Sequence, residues 1–189
     1  THEKYHKNKD INKLLRFLKS KRIATELLIQ TSKNIQIQST AESIDIGNIK
    51  KQSSLSNYGM IIVFGGDGLF LSASKIAYLL NIPILGINFG KIGFLVDVDK
   101  KDIIKKVYEI LKGSYITDKR IMIDGKVTDN NQKIISSTSL NDIVVYNHGL
   151  LKMIQTKIFV NDFLINIQRS DGVIVSTPTG STAYSMSNG

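Results

Sequence analysis

The chain has 189 residues, 42% of them hydrophobic and 22% charged, with no cysteine and a formal charge of +9 at pH 7. That length suits one large domain or two small ones, and the missing thiols exclude disulfides and any thiolate metal site. The basic balance admits nucleic acid, an anionic membrane surface or phosphorylated small molecules as partners; much of it lies in THEKYHKNKDINKLLRFLKSKR, where a solvated, lysine-rich helix is the simpler reading.

In chain order, Ile11, Leu14, Leu15 and Leu18 recur at helical spacing and predict an amphipathic helix over about 9–21. Ile23 to Ile29 reads as a strand or a helix end, and 31–57 is polar and weakly patterned. Met60 to Phe64 is a short continuous apolar run, as expected of a buried parallel strand. Leu69 to Leu80 suits a helix, Ile82 to Ile87 a strand with Pro83 near its start, and Asp99 to Lys112 a helix stopped by Gly113. The apolar region Ile76 to Val96 is broken by Asn81, Pro83, Gly86, Asn88, Gly90, Lys91 and Gly93, which a membrane helix does not tolerate. The polar first residues lack the apolar core of a signal peptide. The expectation is a soluble, cytoplasmic protein with neither membrane nor nucleic acid as partner.

Strand and helix alternating at this spacing predict a Rossmann-like parallel sheet with crossover helices. After about residue 115 the pattern turns to short strands: Ile121–Val127, Ile134–Ser139, Ile143–Tyr146, Ile154–Val160, Phe163–Gln168 and Val173–Val175. Asn161-Asp162 fits a two-residue hairpin turn, although it lacks the preferred glycine. The expected fold class is α/β with a second, all-β, sandwich-like domain: residues 1–115 form the first domain and 116–189 the second. A cleft is expected between them.

Four loops carry the chemistry. Gly65-Gly66-Asp67-Gly68 follows a strand and opens a helix. Its glycines allow positive φ and close approach of a ligand, and backbone N–H groups at a helix start attract phosphate. Asp67 repels phosphate, so it makes sense as a base, as a magnesium partner, or simply as a cap on the helix. GINFGKIGFL, from Gly86 to Leu95, is a second glycine-spaced loop after a strand, and by itself reads as structural. Asn141-Asp142 pairs an amide with a carboxylate, suited to gripping ribose hydroxyls or to an Asx turn. Ser176-Thr177-Pro178-Thr179-Gly180-Ser181-Thr182-Ala183-Tyr184 is a polar loop with an aromatic face, and Arg169 and Asp171 flank the turn before it, placed for an ion pair. No Gly-x-Ser-x-Gly elbow is present to activate a serine.

Taken together and in this order, GGDG at 65–68, GINFGKIGFL at 86–95, Asn141-Asp142 and QRSDGVIVSTPTGSTAYS at 168–185 resemble the NAD kinases in their bacterial form, over essentially the whole chain. The resemblance implies transfer of a phosphoryl group from ATP or polyphosphate to the 2′-hydroxyl of the adenosine ribose of NAD, with magnesium. It implies Asp67 as the base and Gly68 as the point where the ribose approaches. It places NAD on Asn141, Asp142, Arg169, Asp171, Thr179, Thr182, Ala183, Tyr184, Ser185, Met186 and Ser187, with Lys152 as a further contact. It also implies a homo-oligomer. Three positions depart from the family pattern: Leu69 stands where Thr, Ser or Asn is common, Asp142 where Glu is commoner, and Tyr146 where a histidine is frequent, His148 lying two further on. Family chains also carry a further strand before the THE-like residues and further sandwich strands after Gly189, so a chain shortened at both ends is expected. The alternatives are a diacylglycerol-type lipid kinase, which shares a glycine-rich loop, and a non-catalytic nucleotide-binding module.

Overall fold

A computed structural model describes residues 1, 7–30, 35–37, 57–90, 93–96, 98–149 and 153–188. The described residues divide into two compact units, Thr1–Asp118 and Lys119–Gly189.

In the first unit, helix α1 (Lys9–Ser20) starts where the Asn8 side chain accepts a hydrogen bond from the Asp10 N–H at 2.8 Å, satisfying one of the donors left open at a helix start. Thr1 lies outside this helix: its carbonyl accepts from the Gln30 N–H at 2.7 Å. Strands β1 (Leu28–Gln30) and β2 (Ile35–Ile37) pair antiparallel. The second of these falls in the stretch read as weakly patterned, most of which lies outside the described residues.

The centre of the unit is a parallel sheet in the order β3 (Ile61–Gly65), β4 (Ile84–Asn88), β5 (Val98–Asp99). Helix α2 (Asp67–Leu80) connects the first two strands and ends at Asn81 in the left-handed conformation. After β5, a 3-10 turn (Lys100–Asp102) leads into α3 (Ile103–Leu111). The expected start of that helix at Asp99 is thus corrected: Asp99 closes a strand, and its carboxylate caps the turn by accepting from the Lys101 N–H at 2.8 Å. Gly113, at φ 77°, ends the helical region as expected.

Strand residues alternate between the two faces of the sheet. Phe64 and Ile87 point to one face and pack with Ile11, Leu14 and Leu18 of α1 and Ile103 and Val107 of α3. Ile61 packs with Ile76 of α2 on the other. Gly86 brings the sheet close to α2, because a Cβ there would meet Phe70 at 3.0 Å and Val96 at 3.1 Å. The helical periodicity of residues 11–18 thus reflects burial of α1 against one face of the sheet, and the apolar run 60–64 the burial of β3 on both.

The second unit is antiparallel throughout its described strands. β6 (Ile123–Thr128) pairs with β7 (Ile134–Ser139), β8 (Asp142–Tyr146) with β11 (Gly172–Ser176), and β9 (Ile154–Val160) with β10 (Phe163–Ser170). The β9–β10 turn is Asn161-Asp162, both at positive φ (50° and 68°), the conformation whose twist suits a two-residue hairpin. Asn and Asp reach it without glycine because their short polar side chains tolerate the left-handed region. Apolar side chains on these strands remain largely open, Phe163 at 74% and Ile165 at 64% exposure, whereas Leu140 is buried. Among the described residues no helix is long and apolar enough to cross a membrane.

Candidate functional site

The GGDG segment is shorter as a loop than the sequence implies. Gly65 ends β3, Gly66 is the cap, and Asp67 and Gly68 already belong to α2. Nor do its glycines take positive φ: among the described glycines Gly113 does so, while Gly66 is extended at φ −109°. What they provide is room. Gly66 and Gly68 are exposed, and a Cβ on either would meet nothing within 4 Å among the described residues. Gly65 is different, since a Cβ there would strike the Leu69 side chain at 2.7 Å. Leu69, the departure from the family pattern, thus folds back over the end of β3.

Asp67 does not cap its own helix; Gly66 holds that position, with no side-chain bond. The carboxylate reaches instead to the loop after β4. Its Oδ2 accepts from the Phe94 N–H at 2.8 Å and its Oδ1 from the Leu95 N–H at 3.1 Å. The sheet register explains the meeting, because Gly65 and Asn88 are paired neighbours at the ends of β3 and β4. Asn88 is buried, and its Oδ1 accepts from the Gly90 N–H at 2.7 Å, turning the chain out of the strand. Gly93 is required by the carboxylate: a Cβ there would lie 2.6 Å from Asp67 Cγ.

In the second unit the structure joins Asn141-Asp142 to the Thr177–Thr182 loop. Asp142 pairs with Ser176 across β8 and β11. Thr177 is buried; its N–H donates to the Asn141 carbonyl at 2.8 Å and its hydroxyl to the Leu140 carbonyl. The same hydroxyl oxygen accepts from the Gly180 N–H at 3.0 Å. Gly180 is packed so tightly on the Asn141 backbone that a Cβ would lie 2.6 Å from Asn141 Cα. Asn141 Oδ1 is buried with no hydrogen-bond partner among the described residues. An acceptor withdrawn from water and left unbonded costs free energy, so a donor belongs there.

Thr179 accepts a hydrogen bond on its hydroxyl from Arg120 Nη1 at 3.3 Å. Thr182 closes a 3-10 turn begun at Gly180, and Ala183 follows, its N–H donating to the Gly180 carbonyl at 2.9 Å. Tyr184 is 55% exposed and Met186 68%, with Ser185 and Ser187 in the next 3-10 turn. Arg169 lies near the end of β10 and Asp171 is the single residue between β10 and β11; both are exposed. The ion pair for which they are placed is not formed between them. Lys152 lies outside the described residues. The sequence does not single out Arg120; in it Gly86, Gly90 and Gly93 read as letting two backbones pass close together, and Thr177 and Gly180 as members of a polar loop, without the contacts that the structure shows.

An open parallel sheet with a carboxylate at one strand-to-helix junction, followed by a β-rich unit with a Thr-Pro-Thr-Gly turn at a strand end, defines a two-unit α/β-plus-β protein. Residues 12–115 match the family model of the ATP-NAD kinase N-terminal domain, and 140–189 that of the C-terminal domain. The chain is 36% identical over 180 residues to an NAD kinase of Cellvibrio japonicus, covering 95% of this chain and 59% of that protein. It is 34% identical over 184 residues to an NAD kinase of Legionella pneumophila, covering 96% and 61%. Among solved structures, yeast NADH kinase complexed with NADH aligns with a TM-score of 0.62 at 26% identity, over 70% of this chain and 39% of that one. An NAD kinase from Archaeoglobus fulgidus in complex with ATP aligns at 0.65 and 22% identity, over 96% and 62%, a likeness of fold. The chain belongs to the NAD kinase family. It spans about three-fifths or less of the length of these curated relatives.

Proposed function

We propose that the protein carrying this chain is an NAD kinase, with Asp67 as the base. The observation that supports this most is the carboxylate of Asp67 beside the open space at Gly66 and Gly68. Space for a sugar next to a fixed proton acceptor is what deprotonating a ribose hydroxyl requires. In the reaction proposed, the 2′-oxygen of the adenosine ribose attacks the terminal phosphorus of the donor. The hydroxyl proton passes to Asp67 as the new P–O bond forms, and the bond to the leaving diphosphate breaks. Such transfers depend mostly on positioning and on neutralising charge.

Residues of the second unit hold the dinucleotide in this reading. The unpartnered Asn141 Oδ1 takes a donor from the ligand, Asp142 accepts from hydroxyls, and Tyr184 offers a ring face. Thr179, Thr182, Ala183, Ser185, Met186 and Ser187 line the same stretch, with Arg169 and Asp171 at the preceding turn and Lys152 as a further contact. The domain limits 1–115 and 116–189 are kept as the functional division. Among the described residues no three His, Asp or Glu side chains cluster as a metal cage. Magnesium, bound with the donor phosphates, would neutralise their charge. ATP is the proposed donor with polyphosphate as the variant, and a cytoplasmic homo-oligomer is the proposed setting.

The test is NADP formation from NAD, ATP and magnesium by the full-length protein, with Asp67→Asn beside it. The variant is expected to lose about 10²–10⁴-fold in kcat, the usual contribution of a positioned base. A folded wild type that makes no NADP with ATP or polyphosphate, but phosphorylates diacylglycerol, moves the protein to the lipid-kinase reading.

A further inference from the structure

We infer that Gly93-Phe94-Leu95 is the positioning element of the reaction: the loop after β4 clamps the Asp67 carboxylate so that the base is presented in one orientation. This rests on the kinase reading above and adds to it the group that aims the base.

An aspartate at the first position of a helix ordinarily has freedom to turn toward its own N–H groups or toward water. Asp67 has a different arrangement, with one carboxylate oxygen on each of two consecutive backbone donors, Phe94 N–H and Leu95 N–H. Turning the carboxylate plane breaks both bonds together, so the pair sets its rotation as well as its place. Each oxygen has a second lone pair and can still accept a proton from a hydroxyl. The donors belong to backbone, and the Phe94 side chain is 70% exposed, so what the loop gives Asp67 is N–H groups rather than a packed ring. Gly93 makes the fit possible, since the Asp67 carboxylate occupies the space that a Cβ would take. Holding a reacting group in place before the substrate arrives lowers the barrier to reaction, and displacement by about 1 Å costs on the order of 10²-fold in rate.

The test uses the full-length protein and three forms: wild type, Gly93→Ala, and Gly59→Ala as a control in open space before β3. Gly93→Ala is expected to lower kcat by about 10²-fold while KM for NAD stays within about threefold, less than one tenfold step in binding free energy. Gly59→Ala is expected to match wild type. Unchanged kcat in Gly93→Ala, or a rise in KM that accounts for the whole loss, overturns the inference. A second measurement covers a variant that misfolds: the amide proton shifts of Phe94 and Leu95 in the wild type and in Asp67→Asn. Both are expected to move upfield together in Asp67→Asn, as two hydrogen bonds to a charged acceptor are lost. Amides that ignore Asp67 overturn the clamp. If the wild type makes no NADP while these amides do follow Asp67, the kinase reading fails and the clamp stands.

Discussion

Thr177 places two hydrogen bonds on one buried hydroxyl, one donated to the Leu140 carbonyl and one accepted from the Gly180 N–H. Valine has the same shape and neither bond. Thr177→Val is therefore expected to destabilise the chain by about 1–3 kcal/mol, the range for leaving buried polar groups unpaired, and Thr177→Ser by less. Urea unfolding midpoints at constant slope check this. Gly180→Ala is expected to be as severe, because the Asn141 backbone lies where the methyl group would go. Overpacking of this kind costs about 1–3 kcal/mol, and here it also displaces Asn141, so NAD affinity measured by calorimetry is expected to fall. Wild-type affinity in a stably folded Gly180→Ala would separate the loop from dinucleotide binding. The sequence makes Asn141 and Gly180 visible as members of two motifs. Their contact is another matter: it joins residues 39 positions apart through the pairing of β8 with β11, and a local pattern holds no record of it.

At the scale of the element, short devices fix where the chain starts and stops. Asn8 is one; Asn8→Ala is expected to cost about 1 kcal/mol, as lost helix caps do, seen as a lower midpoint of thermal or urea unfolding. Asn161-Asp162 is another. Asp162 holds φ 68°, a conformation glycine adopts without a Cβ clash, so Asp162→Gly is expected to stabilise the β9–β10 hairpin by up to about 1 kcal/mol. A drop in stability would mean that the Asp162 side chain contributes more than its backbone strain removes. The long elements were readable in the sequence because burial leaves a period in it: 3.6 in α1, and a continuous run in β3, which is covered on both faces. The short ones were not. β2 and β5 span three and two residues, too few for any period, and β5 was absorbed into the helix that follows it. The capping alternative for Asp67 failed for a similar reason. The partner of the carboxylate lies 27 residues away, whereas capping its own helix was the nearest local explanation.

Across the whole molecule the two units differ in how they bury apolar surface. In the first, α1, α3 and the sheet enclose Ile11, Leu14, Ile87 and Val107, each at most 1% exposed. In the second, Phe159, Phe163, Leu164 and Ile167 are half-exposed or more. Local stability follows buried contacts, so amide hydrogen exchange on this 189-residue chain is expected to be slowest at Val63, Phe64 and Ile87. It is expected to run orders of magnitude faster across β9–β10. Equal protection in both units would show that the open strands find cover in solution, for example in a second copy.

The pairing of β8 with β11 also has a consequence for synthesis. The Asn141 segment leaves the ribosome well before its partner, with the β9–β10 hairpin made in between. At about 5–20 residues per second, the 31 residues from Asp142 to Gly172 leave β8 waiting on the order of seconds. The hairpin closes on itself within microseconds and so is in place first. The junction of Asn141 with Thr177 and Gly180 is thus assembled late, from two pieces brought together around a finished insert, and a ribosome stalled before Gly172 would carry a chain whose first unit can already be folded while Asn141 has nothing to rest on.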